Sequence, residues 1–121
     1  MDTTINVEGY NVRVLAGPYN DGGTATPAAP AFAAELIRML PQMKKFAAQQ
    51  LLETFNESWA EDEGDELNAT QFEANLVSPQ IVIYDEVGAA TIYFADSDMF
   101  GGHLIDVSIN DGKISDASLV G

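Results

Sequence analysis

The spacing of apolar residues changes from alternating to helical and back again along this chain, and that pair of switches admits few folds. Phe32, Ala33, Leu36, Ile37 and Leu40 share one helical face, and Met43, Ala47, Leu51, Phe55 and Trp59 continue it in i, i+4 steps with Phe46 beside them. Pro41 interrupts the stripe, either as the first residue of a second helix or as a kink in one long helix. Lys44 and Lys45 would oppose the dipole of a new N-terminus, which favours the kink. Thr70 and Glu73 match a capping box for a short helix carrying Phe72 and Leu76, which must end before Ser78-Pro79.

After Pro79 the pattern is that of strands. Ile81 to Tyr84, Ala90 to Ala95, Leu104 to Ile109 and Ile114 to Val120 are separated by short loops, the last of them the turn Asn110-Asp111-Gly112. Near the start, Ile5, Val7, Tyr10, Val12 and Val14 alternate around Glu8-Gly9 as a hairpin would. Residues 17–29, rich in Gly, Pro, Thr and Ala, have no period and read as a loop. The expected architecture is α+β over one domain, 1–121: an antiparallel sheet made of a C-terminal four-stranded meander, extended by the N-terminal hairpin, with the helices packed on one face.

A chain of 121 residues can bury roughly 65% of its unfolded surface, and with no cysteine its core must hold by packing alone. The missing cysteines remove thiolate metal sites and cysteine nucleophiles, and they suit a reducing compartment. The start has neither a basic nor an apolar segment of the signal-peptide kind, and no apolar run is long enough to span a bilayer. A cytoplasmic protein with no membrane partner is expected.

Charge narrows the partners further. Residues 1–45 hold four acids and four bases, whereas residues 46–121 hold fifteen acids against Lys113, giving the chain a net charge of −14. Such a surface repels phosphates, so no nucleic-acid partner is expected, while a basic protein is favoured. Six of the acids, Glu57, Glu61, Asp62, Glu63, Asp65 and Glu66, fall within ten residues at the end of the helical stripe. Those in the last turn oppose the helix dipole at about 0.3–1 kcal/mol each, so local stability does not select them. They read as a docking surface for a cationic partner, against the plainer alternative of a solvated run that keeps the protein soluble.

The loop Asp96-Ser97-Asp98-Met99-Phe100-Gly101-Gly102-His103 contains the one histidine of the chain. It opens like a calcium loop, but Val107 stands where that loop needs its bidentate glutamate. Asp96, Asp98 and His103 remain a candidate divalent-metal trio; the alternative is a structural His103 hydrogen-bonded within its own loop. Met99 and Phe100 belong either under the sheet or on the surface as an apolar patch. Ser97, Ser108, Ser115 and Ser118 lack a nucleophile-elbow context, no glycine-rich loop precedes a helix, and 19 acids make any one carboxylate pair uninformative. No catalytic constellation and no cofactor are therefore expected.

Phe55-Asn56-Glu57-Ser58-Trp59, the strand Ile81 to Tyr84 and the segment FADSDMFGGHLIDVSINDGKISDASLVG from Phe94 to Gly121 together resemble a group of uncharacterised bacterial domains. Its members carry an aromatic-Asn-x-x-Trp helix end, a loop and strand of the form DxDMFxGHxIxV, a turn at Asp-Gly and a terminal small-Leu-x-Gly. The resemblance covers roughly residues 50–121, with the DMFGGH loop as its most specific part. It marks Asp96, Asp98, Phe100, Gly101, Gly102 and His103 as signature positions without roles; relatives often have a bulky aromatic where Gly101 stands here. The group has no defined activity, and similar small acidic domains occur among proteins that neutralise bacterial toxins. What the resemblance and the charge jointly imply is an immunity-type protein that occludes a basic effector such as a nuclease. A metal site at Asp96, Asp98 and His103 and a housekeeping interaction module are the alternatives.

Overall fold

In the computed structural model, which describes residues 2–120, the first two strands are β1 (Thr3–Val7) and β2 (Tyr10–Val14), joined at Glu8-Gly9. Both turn residues have positive φ, 52° and 89°, the left-handed pair that lets a two-residue hairpin follow the strand twist. Asp111-Gly112 repeats this geometry near the C-terminus.

Residues 17–29 are more ordered than their composition suggests. β3 (Asn20–Asp21) and β4 (Thr24–Ala25) form a small hairpin whose turn holds Gly22 and Gly23. Asn20 fastens it, donating from Nδ2 to Val14 O at 3.1 Å and accepting from the Gly23 N–H at 2.8 Å. Tyr19 is buried, stacks on Phe32 at 5.1 Å and accepts the Gly88 N–H at its hydroxyl. This aromatic anchor is what an aperiodic reading misses.

Two helices follow, α1 (Ala28–Arg38) and α2 (Leu40–Thr54), divided at Met39. Pro41 is therefore the second residue of a new helix, in the first turn where its missing N–H leaves no bond unmade, and the one long kinked helix suggested by Lys44 and Lys45 is not found. The magnitudes explain the outcome. Two cations near a helix N-terminus cost about 0.3–1 kcal/mol each, whereas burying Leu40 and Met43 is worth about 1.5–3 kcal/mol each.

Helix α3 (Ala69–Ala74) is capped two residues before the expected position. Asn68, not Thr70, accepts the Gln71 N–H at 2.8 Å, and the Gln71 side chain accepts the Asn68 N–H at 2.9 Å. Then come β5 (Val77–Ile83), β6 (Ala90–Ala95), β7 (Leu104–Asn110) and β8 (Lys113–Val120).

The main sheet runs β1-β2-β5-β6-β7-β8, antiparallel throughout except between β2 and β5. The meander and its extension by the N-terminal hairpin are as expected; the parallel junction is not. Val12 lies beside Ile81 and Val14 beside Ile83, and parallel neighbours need a long crossover, supplied here by all three helices. Alternate residues Val12, Val14, Ile81, Ile83, Ile92, Phe94, Ile105, Val107 and Ile109 form the sheet half of the core, against Leu36, Met43, Ala47 and Phe72 from the helices. Among the described residues no helix is long and apolar enough to cross a membrane.

Candidate functional site

The acidic run is shaped by what happens at the end of α2. Over Phe55–Trp59 the coil widens by one residue, and the Ala60 N–H reaches back to Phe55 O at 2.8 Å. That extra residue takes Trp59 off the buried stripe on which the sequence places it. Trp59 is 40% exposed, edge-on to Phe100 at 5.2 Å and to His103 at 5.7 Å.

Beyond Ala60 the chain makes a short tight turn at Glu63–Asp65, where the Asp62 N–H donates to Asp65 Oδ2 at 3.3 Å. Asn56 closes the excursion: its Nδ2 donates to Leu67 O and its Oδ1 accepts the Leu67 N–H, both at 2.9 Å. Residues 57–66 are thus a loop with tied ends. Glu57, Glu61, Asp62, Asp65 and Glu66 are all exposed, and the side chain of Glu63 lies outside the described residues. Among the described residues the one ion pair joins Arg13 to Asp2, so within that set no cation pairs with Glu57, Glu61, Asp62, Asp65 or Glu66.

The loop after β6 is organised by Asp96, which is 3% exposed. Its Oδ1 accepts the Asp98 N–H and its Oδ2 the Phe100 N–H, each at 2.9 Å, while its carbonyl accepts the Met99 N–H at 3.0 Å. Ser97 and Asp98 take positive φ, 51° and 65°, to make this tight fold, and Ser97 Oγ ties the loop to Asn75 O at 2.8 Å. The result drives Phe100 into the core. Fully buried, its ring meets Phe55 at 5.4 Å, Trp59 at 5.2 Å and Phe72 at 6.1 Å. Asp98, Gly101 and Gly102 stay exposed, with Met99 and His103 half-buried.

Phe100 and Trp59 thereby join two segments some forty residues apart in sequence. Phe55, Trp59, Ala60, Glu61, Asp65, Asp98, Met99 and Gly101 line a surface cleft of about 470 Å³. Of the acidic run, Glu61 and Asp65 line it; Glu57, Asp62 and Glu66 do not, and neither does Gly102. His103 sits against Trp59 rather than among the carboxylates that would complete a metal trio. Asp96 points both oxygens at backbone N–H groups, and among the described residues no group of three His, Asp or Glu side chains is placed to hold a metal ion. What the cleft can offer is a partly exposed indole together with three carboxylates in its lining, a suitable receptor for cationic side chains.

A second surface went unassigned in the sequence. On the helix-free face of the sheet, Thr4, Asn11, Arg13, Leu15, Val82, Tyr84, Tyr93 and Leu104 line a shallow cleft of about 610 Å³ together with Gln80 and Ile81. Interaction with the Tyr84 hydroxyl, with partial burial and the nearby charges of Tyr84 and Asp106, pushes the Tyr93 phenol up to about 12. The signal was present in the strand alternation, since Gln80, Val82 and Tyr84 fall opposite in parity to Ile81 and Ile83.

Neither a curated protein nor a solved structure matches the chain. Residues 4–119, which take in every element described except the first residue of β1 and the last of β8, match the family of uncharacterised proteins conserved in bacteria known as DUF2262, and the chain belongs to that family.

Proposed function

We propose that this protein is a protein-binding module whose acidic loop and adjoining cleft receive a basic surface of another protein, in the manner of an immunity or antitoxin protein that covers a nuclease effector. The observation that carries the reading is that Glu61, Asp65 and Asp98 line the same cleft as the partly exposed Trp59. A partly exposed tryptophan within a polar rim has the make-up of an interface hot spot, and unpaired acids around it draw a cationic partner in and reject acidic ones. The Asn56–Leu67 clamp supports the same reading, because it reduces the loop entropy that binding would otherwise have to remove.

The test takes as its probe a toxic basic protein sought among the products of the adjoining genes. Co-expression relieves the growth defect that the probe causes alone, and the affinity of the purified pair falls steeply with added salt. The variant E57Q/E61Q/D62N/E63Q/D65N/E66Q loses both the relief and most of the salt dependence. An unchanged affinity and salt slope in that variant defeats the reading.

A further inference from the structure

The tripeptide Asn-Asp-Gly occurs twice, at residues 20–22 and 110–112, and each copy lies in a hairpin turn. An aspartate followed by glycine is chemically weak, because no Cβ on the glycine hinders its nitrogen from closing on the aspartate side chain. Asp21 and Asp111 are both exposed, and a Cβ at Gly22 or at Gly112 would meet nothing within 4 Å, so access does not separate the two sites.

Hydrogen bonding does. The Gly112 N–H donates to Gly88 O at 2.9 Å, which holds the nitrogen that would have to lose its proton and turn towards the Asp111 side chain. Among the described residues the Gly22 N–H has no such partner; Asn20 Oδ1 takes the N–H of the next residue, Gly23. Pairing differs as well. Asp111 and Gly112 close the ladder of β7 and β8, which runs from Leu104↔Val120 to Asn110↔Lys113, whereas β3 and β4 share only Asn20↔Ala25 and Asp21↔Thr24. So short a pairing opens locally more readily, and opening frees the rotation that ring closure needs.

We propose that Asp21 is a site of spontaneous modification, isomerising to isoaspartate through a cyclic imide, and that the fold protects Asp111 in the same tripeptide. The Gly22 nitrogen loses its proton and bonds to Cγ of Asp21, and a carboxyl oxygen leaves with that proton as water. Water then adds to one of the two ring carbonyls. At Cγ it restores aspartate; at the main-chain carbonyl of Asp21 it breaks the original peptide bond, so that the chain runs on through Cβ and Cγ. The added backbone carbon disrupts the Asp21↔Thr24 pairing and the contact of Asn20 with Gly23, which loosens the hairpin that Tyr19 anchors on Phe32.

Ageing in heavy-oxygen water at near-neutral pH tests this, since each ring opening fixes one heavy oxygen. After digestion with trypsin in ordinary water, the peptide of residues 14–38 carries Asp21 and that of residues 46–113 carries Asp111, and fragment masses place the label. In urea, where the shared tripeptide sets the rate, both sites take up label at similar rates. In the folded protein Asp111 labels at least about fivefold more slowly than Asp21, as expected when a hydrogen bond must first be broken. D21E, whose longer side chain closes a larger ring far more slowly, removes the label from residues 14–38 and leaves the circular dichroism unchanged. Equal labelling of the two sites in the folded protein overturns the proposal. So does a folded Asp21 that stays unlabelled while the unfolded chain labels there, or label in residues 14–38 that D21E leaves in place.

Discussion

Asn56 holds Leu67 by both of its backbone polar groups, one side-chain amide replacing two main-chain partners across the whole acidic loop. A primary amide suits this position because its oxygen accepts while its nitrogen donates, and both contacts are 2.9 Å. Asn56→Ala leaves two part-buried backbone groups without these partners. It should destabilise the fold by about 1–3 kcal/mol, read from urea unfolding, and should speed cleavage by a glutamate-specific protease within residues 57–66. Asn56→Asp keeps the acceptor but sets a carboxylate oxygen against Leu67 O, so it should behave like the alanine variant and not like wild type.

Phe100 reaches the core from a loop, and its ring supports Trp59. Phe100→Ala should cost about 3–5 kcal/mol, the usual penalty for emptying an aromatic core site. Because Trp59 is the single tryptophan, its fluorescence reports the change directly. The emission maximum should move to longer wavelength in the folded variant at low denaturant; an unshifted maximum would mean that Phe100 does not hold the indole in place.

Acids around Trp59 should cost stability that function then recovers. Glu57 lies in the widened turn at the end of the long helix, where its charge faces the negative pole of the dipole. Glu57→Gln should stabilise the free protein by about 0.3–1 kcal/mol in dilute buffer, and the gain should shrink in high salt as the charges are screened. Calorimetric melting at two ionic strengths separates this from a mere solubilising role, which predicts no change in stability.

Alkaline titration gives an independent check on the helix-free face. Tyr93 keeps its proton up to about 12, against 10.0 for an ordinary phenol. Because the folded value lies above the unfolded one, this tyrosine favours the fold fully below pH 10 and loses that contribution as pH rises through 12. Of the four tyrosines, one should therefore ionise late in the ultraviolet spectrum. Tyr84→Phe removes the main cause and should bring that late step down towards the ordinary range.

Elements governed by local chemistry were legible in the sequence. The hairpin at Glu8-Gly9 and the turn at Asp111-Gly112 announce themselves through residues that tolerate positive φ, and the strands of the meander through alternation. What the chain hides depends on partners distant in sequence. The parallel contact of Val12 with Ile81 has no local marker, nor does the anchor that Tyr19 finds in Phe32 and Gly88. Trp59 continues the i, i+4 stripe faultlessly on paper; one extra residue in the final turn, fixed by packing against Phe100, turns it outward. Asn68 and Thr70 both satisfy a capping spacing, and the choice between them follows from where the Asn56 clamp delivers the chain. Likewise the candidate trio of Asp96, Asp98 and His103 looked like a set of ligands until the inward role of Asp96 was visible.

The parallel junction of β2 with β5 has a consequence for how the molecule is made. The hairpin β1–β2 leaves the ribosome before the other elements described, yet its permanent neighbour is β5, so it must wait while residues 15–76 are synthesised and folded. Closing so long a segment is entropically slow, whereas the meander β5 to β8 forms through neighbouring contacts alone. Of these elements the hairpin is therefore the earliest made and the last seated. The acidic loop, carried inside the segment that must close, comes to its final position only when β2 and β5 have met.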